Sequence, residues 1–448
     1  MNTSITRRLW NLSYPTMLSF ALQSFYDMVD MIWVGRISSH AVAGVTIFTG
    51  IYWVFVVTNE IIGSSSVSMI SQSYGRKDKE RTLEISEQTI SFKVVVALVS
   101  AILLLLFFEP LLHLYTKDAL VIQAARDYGY LRIFFFPIFF ASFSVNTIFR
   151  CQEDAKTPMY IMGLSTLLNL ILDPIFIFDT IPFIGLPGFG FGVYGAAVAT
   201  VISITISFLF GFILLLKGHN GIYIRFKELF HLNPEIDKKL ITIGIPNGLE
   251  FFSRFMFNAI MMRFVAVYGV AAISGYGIAG KIYNTAFLPI NGLMMGGSTL
   301  VGQFLGQENT KEAEKVARIA ARMNAAIMGI FVLLSLIFHK EIMGLFINDP
   351  DVIHIGSLML ITSSLALPAL GYGFGCGVAF MGSGHNKPLL YAGFISQWIF
   401  QLPLLFIIVN LLKLPVGYLF ASFMVADLVS FGILTYAYRQ GGWKFSRV

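Results

Sequence analysis

Residues 44–75 read GVTIFTGIYWVFVVTNEIIGSSSVSMISQSYG, and residues 275–306 read GYGIAGKIYNTAFLPINGLMMGGSTLVGQFLG. Laid over one another, 231 residues apart, Gly44 falls on Gly275, Ile47 on Ile278, Ile51 on Ile282 and Tyr52 on Tyr283. Gln72 falls on Gln303 and Gly75 on Gly306. The register continues outward without a gap. Pro15 meets Pro246, Leu18 meets Leu249 and Phe20 meets Phe251 upstream; Pro137 meets Pro368, Phe143 meets Phe374 and Phe149 meets Phe380 downstream. Chance matches of Leu, Ile and Phe are common in an apolar chain. Pro, Gly, Gln and Tyr on one ungapped register are not, and they mark an internal repeat.

The composition says where such a repeat lives. Of 448 residues, 56% are hydrophobic and 12% charged, and the mean hydropathy is +0.74. The charged share is roughly half that of a soluble domain, which excludes a disordered chain, a nucleic-acid binder and an ordinary cytosolic enzyme. A bilayer-crossing helix needs about 20 apolar residues. Candidate spans fall at 12–35, 42–72, 86–114, 120–149, 157–179 and 190–217, then at 238–267, 270–303, 314–346, 352–383, 388–412 and 415–438. The longest polar segment, 217–239, lies between the two sets. The expected fold is therefore an all-α integral membrane protein of twelve transmembrane helices. It has two six-helix lobes, 1–217 and 238–448, joined by a cytoplasmic linker at 218–237. Each half has an even number of spans, so the halves enter from the same side and are related by a pseudo-two-fold axis along the membrane normal. Two bundles so related leave a cleft between them, and rocking opens it to either side.

The net charge of +6 collects in a few loops. Arg7, Arg8, Arg76, Lys77, Lys79, Arg81, Arg225, Lys227, Lys311, Lys315, Arg439 and Lys444 fall on one side; Arg36, Lys117, Arg126, Arg132, Lys340 and Lys413 fall on the other. The positive-inside rule then places both termini in the cytoplasm of a cell-membrane protein. Residues 1–12 read as an amphipathic lead-in and not as a removable signal. Two cysteines, Cys151 and Cys376, are too few for a disulfide framework.

Charge inside a span costs about 2.5–3.5 kcal/mol at its centre and usually serves function. Asp30 sits in FYDMVDMIWVG (25–35) within span 1, and Asp173 in LLNLILDPIFIF within span 5. Asn169 precedes Asp173 by four residues and shares its helix face, and Pro174 weakens the helix just beyond. In the second half Asp30 aligns with Met261, and Asn169 and Asp173 align at or near Trp398 and Leu402. Needs of the fold would act on both copies, so carboxylates in one copy alone point to a coupling-ion site in the first half. The plainer alternative is that Asp173 caps or pairs structurally, or that Asp30 lies near the membrane interface. Two carboxylates in one poorly solvated pocket repel, and either a proton or a Na+ held by Asp30, Asn169 and Asp173 would relieve the repulsion.

Other intramembrane polar groups are candidates for the cleft. Tyr26 lies one turn before Asp30. Asn59 and Glu60 in span 2 either join the same pocket or bond only to each other. Glu250 and Arg254, four apart in span 7, read first as a neutralising pair and second as a docking group for a cationic substrate. Gln397 and Gln401 in span 11 are placed to line the cleft, and Lys93, Arg263, Lys281 and Asp427 to snorkel or pair. Gly190, Gly192 and Gly195 match the dinucleotide fingerprint by letter, but no strand precedes them. No metal-ligand or nucleophile pattern appears, and no cofactor is expected.

Several segments together resemble the multidrug and toxic compound extrusion (MATE) family of antiporters. They are Pro15 with VDMIWVGR at 29–36, SQSYGRKD at 71–78 with its repeat partner GQFLGQEN at 302–309, FRCQEDAKTP at 149–158, LNLILDP at 168–174, and GVYGAAVAT at 192–200. The likeness is greatest to the DinF-type or archaeal branches. It implies two lobes around a V-shaped cleft, and uptake of H+ or Na+ driving export of amphipathic, often cationic, drugs by a monomer. It carries the family's first-lobe cation site onto Asp30, Asn169, Asp173 and Thr200, and makes Pro15 a point at which the first helix bends. Span 10 lacks the carboxylate of the NorM-type pattern, which argues against ion binding in the second lobe. The nearest rival function is a flippase for lipid-linked precursors, which would be expected to line its cleft with basic residues. A lipid-modifying enzyme would need a catalytic constellation that the chain does not show, and a receptor or channel would act without an ion gradient.

Overall fold

The computed structural model describes residues 2–218 and 223–448, so part of the expected linker, 219–222, lies outside the described residues. Among those described the protein is helical throughout, with a single isolated bridge between Thr180 and Pro187. The first six helices are α1 (Asn2–Gly35), α2 (Ser39–Gly75), α3 (Lys79–Tyr115), α4 (Ala119–Phe134 with Phe136–Cys151), α5 (Lys156–Ile177) and α6 (Gly192–Lys217). The second six are α7 (Pro234–Ala266), α8 (Val270–Gly306), α9 (Thr310–Gly344), α10 (Pro350–Ser364 with Leu367–Ser383), α11 (Lys387–Leu411) and α12 (Val416–Gln440). Seven of these are each long and apolar enough to cross a bilayer, and the bent pairs α4 and α10 raise the number to nine. The remaining three, α1, α7 and α8, carry Asp30, the Glu250–Arg254 pair and Lys281.

The repeat extends to backbone conformation. α4 bends by 55° and α10 by 52°. Pro137 and Pro368 stand at the second position of each segment beyond the bend. A proline there offers no N–H to the carbonyl four residues back, and its ring crowds that carbonyl. The helix leaves its axis and restarts on Phe135 and Ala366, whose carbonyls accept from Phe139 (3.2 Å) and Leu370 (3.0 Å). The α2–α3 and α8–α9 turns match as well. Lys77 (φ 61°) and Glu308 (φ 58°) both take the left-handed conformation that side chains avoid. Each is held by a bond closing the preceding helix, Asp78 N–H to the Ser73 carbonyl (3.2 Å) and Asn309 N–H to the Phe304 carbonyl (2.8 Å). Asp78 and Asn309 then cap the next helix, accepting from the backbone of Arg81 (3.0 Å) and Glu312 (3.2 Å).

Compactness divides the chain within two helices. One unit is Leu18–Gly244; the other is the start of α1, up to Met17, with Ile245–Val448. The core of the first is aromatic, with Phe48, Phe108, Tyr128, Phe136 and Phe140 buried together. That of the second is built on Met261, Met359, Leu405 and Phe420. In the first unit a Cβ on Gly244 would fall 1.7 Å from the Ile61 carbonyl oxygen, so only glycine lets α7 begin against α2. In the second, Gly292 meets Met17 in the same way, its Cβ position 2.3 Å from Met17 Cγ.

The polar segment after α6 is bound to α3. Glu87, whose side chain is buried, accepts from Arg225 through the backbone N–H (2.7 Å), Nε (3.1 Å) and Nη2 (2.9 Å). Gln88 donates to the His231 carbonyl (2.6 Å) and accepts from Asn233 N–H (3.0 Å), while Asn233 Nδ2 donates to Glu84 (2.8 Å). Gly190 and Gly192 sit in the loop before α6 with φ of 65° and 56°. A Cβ on Gly190 would strike Asp179 Oδ1 at 1.9 Å, so its glycine is required by a tight turn and not by a phosphate.

Candidate functional site

The unit Leu18–Gly244 holds a buried polar pocket. α1 presents Tyr26 and Asp30 one turn apart, α5 presents Asn169 and Asp173 with the same spacing, and α6 presents Thr200. Asp30 is 6% exposed, Asn169 1%, and Asp173 and Thr200 are fully buried. Asp30 Oδ2 accepts from the Tyr128 hydroxyl of α4 at 2.8 Å. Tyr128 in turn accepts from Arg132 Nη1 at 2.8 Å. The Arg132 guanidinium lies 5.1 Å from the Tyr52 ring centroid and 5.3 Å from that of Tyr128, in cation–π range of both. On the opposite wall Asn169 Nδ2 donates to Asp173 Oδ1 at 2.9 Å. Asp173 feels the charge of Asp30, and Tyr26 lies beside both Asp30 and Thr200. Pro174 withholds the N–H that would bond the Leu170 carbonyl, and α5 nevertheless continues to Ile177.

The unspent atoms of this pocket are its chemical content. Asp30 Oδ1, Asn169 Oδ1, Asp173 Oδ2, Thr200 Oγ1 and the Tyr26 hydroxyl are buried without a well-formed hydrogen bond. Each buried group left so costs about 1–3 kcal/mol. Four of the five are on the residues named from the sequence as the ion site. All are oxygens, from carboxylate, amide and hydroxyl, the donor set of a hard cation or a proton. A proton on either carboxylate, or a Na+ among these oxygens, would answer the unmet acceptors.

The remaining sequence candidates go elsewhere. In the same unit Asn59 Nδ2 donates to Glu60 Oε1 at 3.3 Å, and buried Lys93 supplies the counter-charge to Glu60. That network is local to α2 and α3. In the second unit Glu250 Oε1 accepts from Arg254 Nε at 3.1 Å and, more closely, from its Nη2. Gly393 of α11 makes room for that carboxylate, since a Cβ there would stand 2.9 Å from Glu250 Oε1. Asp427 of α12 accepts from the Tyr283 hydroxyl at 3.1 Å, with Arg254 in Coulomb reach. Gln401 donates to Ser422 Oγ at 3.2 Å, and Gln397 lies half-buried in the π-helical stretch Ile395–Gln401. Pro15 stands inside α1, which runs through it as one helix.

Three residues of the pocket do not announce themselves in the sequence: Tyr52, Tyr128 and Arg132. Arg132 reads there as one more cation at a span end, whereas it is half-buried within α4. The available signal is its spacing of four from Tyr128, which sets both on one helix face.

Among the described residues, twelve long helices in two matching sets, with a buried oxygen-lined pocket in one unit, define a polytopic membrane transporter. The family profile described as MatE matches residues 15–175 and 246–407. The chain belongs to that family, which is one of transporters and not of enzymes. It is 26% identical to the probable multidrug resistance protein YoeA of Bacillus subtilis over 99% of this chain and 96% of that protein. It is 24% identical to the multidrug export protein MepA of Staphylococcus haemolyticus, over 95% and 92% of the two chains. Among solved structures, a MATE transporter of Vibrio cholerae superposes with a TM-score of 0.90 at 19% identity, covering 99% of each chain. A MOP superfamily transporter from Pyrococcus furiosus superposes with 0.89 at 22% identity, over 97% and 95%. These superpositions establish the two-lobed, twelve-helix fold.

Proposed function

We propose that the protein exports amphipathic, often cationic, organic compounds from the cell in exchange for H+ or Na+, acting as a monomer with both termini in the cytoplasm. The relatives' names support drug export, and the basic loops support the orientation. The observation that carries the coupling is the set of unpartnered oxygens on Asp30, Asn169, Asp173 and Thr200. An ion arriving from outside neutralises the carboxylates and draws α1, α5 and α6 onto itself. The loaded pocket then differs from the empty one in charge and in helix packing, and substrate binds the two states differently. Coupling requires that difference and nothing further; no cofactor enters it. Tyr26, beside Asp30 and Thr200, reports the loaded state to the neighbouring face of α1. Glu60, Asn59, Glu250, Gln397 and Gln401 contribute to substrate contact only where the paired networks around them open.

The test is efflux of a fluorescent organic cation from vesicles, with pH and Na+ gradients imposed separately. One gradient should drive export by the natural chain. The Asp30→Asn variant should insert and fold yet lose that drive. Undiminished gradient-driven export by this variant would refute the site.

A further inference from the structure

A second feature lies in the other unit, on helices the ion pocket does not use. α9, α10 and α12 enclose a groove of about 590 Å³. Its walls are Ala325 of α9, Pro368, Ala369 and Tyr372 of α10, and Phe431 and Thr435 of α12. The bend of α10 at Ala366 and the small side chains at Ala325 and Ala369 leave the space. Tyr372 packs edge-on against Phe431, with centroids 6.2 Å apart, and closes its floor. The groove ends at Tyr438 and Arg439, in the last turn of α12.

That end is basic. Tyr438 donates to the Glu314 carbonyl at 3.3 Å, which fastens the end of α12 to the start of α9. Around this junction stand Arg318, Arg322, Arg439 and Lys444. Glu314 is shared by Arg318 (3.0 Å) and Lys444 (3.1 Å). Arg322 and Arg439 have no carboxylate partner among the described residues. Arg322 lies three residues, about one turn, before the groove-lining Ala325, and Arg439 is itself at the mouth. An apolar channel with Arg439 at its mouth and Arg322 one turn from its wall, neither guanidinium having a carboxylate partner among the described residues, matches an anionic amphiphile in charge and shape. We propose that this groove is a binding site for an anionic glycerophospholipid, with an acyl chain along Ala325, Ala369 and Phe431 and the phosphate at Arg322 and Arg439. A zwitterionic lipid would bring its own cation beside the arginines, and a small soluble anion would leave the apolar channel empty. Basic pockets between helices on the cytoplasmic side select acidic headgroups by this same charge match.

Native mass spectrometry of the full chain, released from detergent carrying equal phosphatidylglycerol and phosphatidylcholine of matched acyl chains, tests this. Phosphatidylglycerol should be retained preferentially. The Arg322→Gln/Arg439→Gln variant should weaken that retention about 30-fold, on the scale of two basic contacts. Ala369→Phe, which fills the channel and leaves the charge in place, should lose the lipid as well. If the arginine variant does not fold, retention by Ala369→Phe decides between the outcomes. Equal retention of the two lipids, unchanged retention in either folded variant, or displacement of the lipid by glycerol phosphate alone would overturn the proposal.

Discussion

Each unit of this transporter carries an acidic cluster, and the two are built on opposite plans. In the unit Leu18–Gly244, Asp30 and Asp173 are held by neutral donors, the Tyr128 hydroxyl and the Asn169 amide. The nearby cation, Arg132, donates to Tyr128 and acts on Asp30 through its charge without bonding it. One oxygen of each carboxylate is left unmatched. In the other unit Glu250 bonds directly to Arg254, and Asp427 to Tyr283 with the same arginine in reach. There the protein supplies its own cation. Burying acids is therefore not what creates an ion site, since both units do it. What distinguishes the first is that neither carboxylate bonds a cation directly and each keeps an unpartnered oxygen, which is what the proposed ion site requires. A buried charge without a partner is costly, and at the proposed ion site that cost would favour uptake of a cation.

The strongest test of this contrast exchanges acids for amides in both units. Asp173→Asn should reduce gradient-driven export by at least about tenfold, within the usual range of coupling between sites, while facilitated exchange of substrate without a gradient persists. Asp427→Asn should leave coupling intact. If the two variants lose coupling equally in paired vesicle assays, the units are not different in kind. Next in size is Arg254→Gln, which takes the resident cation out of the second cluster. Losing one partner of a buried pair costs about 3–5 kcal/mol, and the 42% exposure of Arg254 brings the expected loss well below that range. The sharper readout is ionic. In an Asp30→Asn background the additional Arg254→Gln change should restore a rise of melting temperature with Na+ or with acid, because Glu250 and Asp427 then stand open. No such rise would mean that the second cluster cannot be converted by removing its arginine.

Much of this was legible in the chain, and the parts that were not share a physical cause. Pro137 and Pro368 stand in the repeat, and a missing N–H acts locally, yet the expected bend is at Pro15, through which α1 runs as one helix. Asp30 and Asp173 are legible because a carboxylate among apolar neighbours is expensive wherever the helix packs. Tyr128 and Arg132 are not, because a tyrosine and an arginine near a span end are ordinary, and only the packing of α4 against α1 gives them a role. The bond of Arg225 to Glu87 was hidden for a similar reason. Glu87 reads as the polar start of a span and 217–239 as free surface, and hydropathy along a chain does not report which distant segment returns to satisfy a buried acid. The division of α1 and α7 within their lengths is likewise a matter of neighbours. Pro15 and Pro246 mark the place in the sequence, and the glycines at Gly244 and Gly292 the contacts, but neither states which unit each half joins.

A finer test concerns the neutral donors. Tyr128→Phe removes the hydroxyl from Asp30 and leaves the ring against Phe48. One hydrogen bond to a charged group is worth about 1.5–3 kcal/mol, though a water entering the space would recover part of it. The half-saturating ion concentration for transport should therefore move by about tenfold, while the maximal rate changes little. A fall in maximal rate at an unchanged half-saturation would instead make Tyr128 a part of the moving machinery and not of the ion's coordination.

The smallest effect is expected where the charge is fully answered. Glu87 accepts three bonds from Arg225, and its burial is matched by that guanidinium and a backbone N–H. Arg225→Ala removes two of the three and leaves a buried carboxylate with one donor, which destabilises the first unit by about 1–3 kcal/mol. The gradient dependence of export should stay as in the natural chain, because Glu87 belongs to a closed network that no ion needs to enter. A melting temperature a few degrees lower with coupling unaltered is the expected pair of readings. Loss of coupling in this variant would show that a satisfied acid can matter as much as an unsatisfied one, and the distinction between the two plans would then fail at its most conservative point.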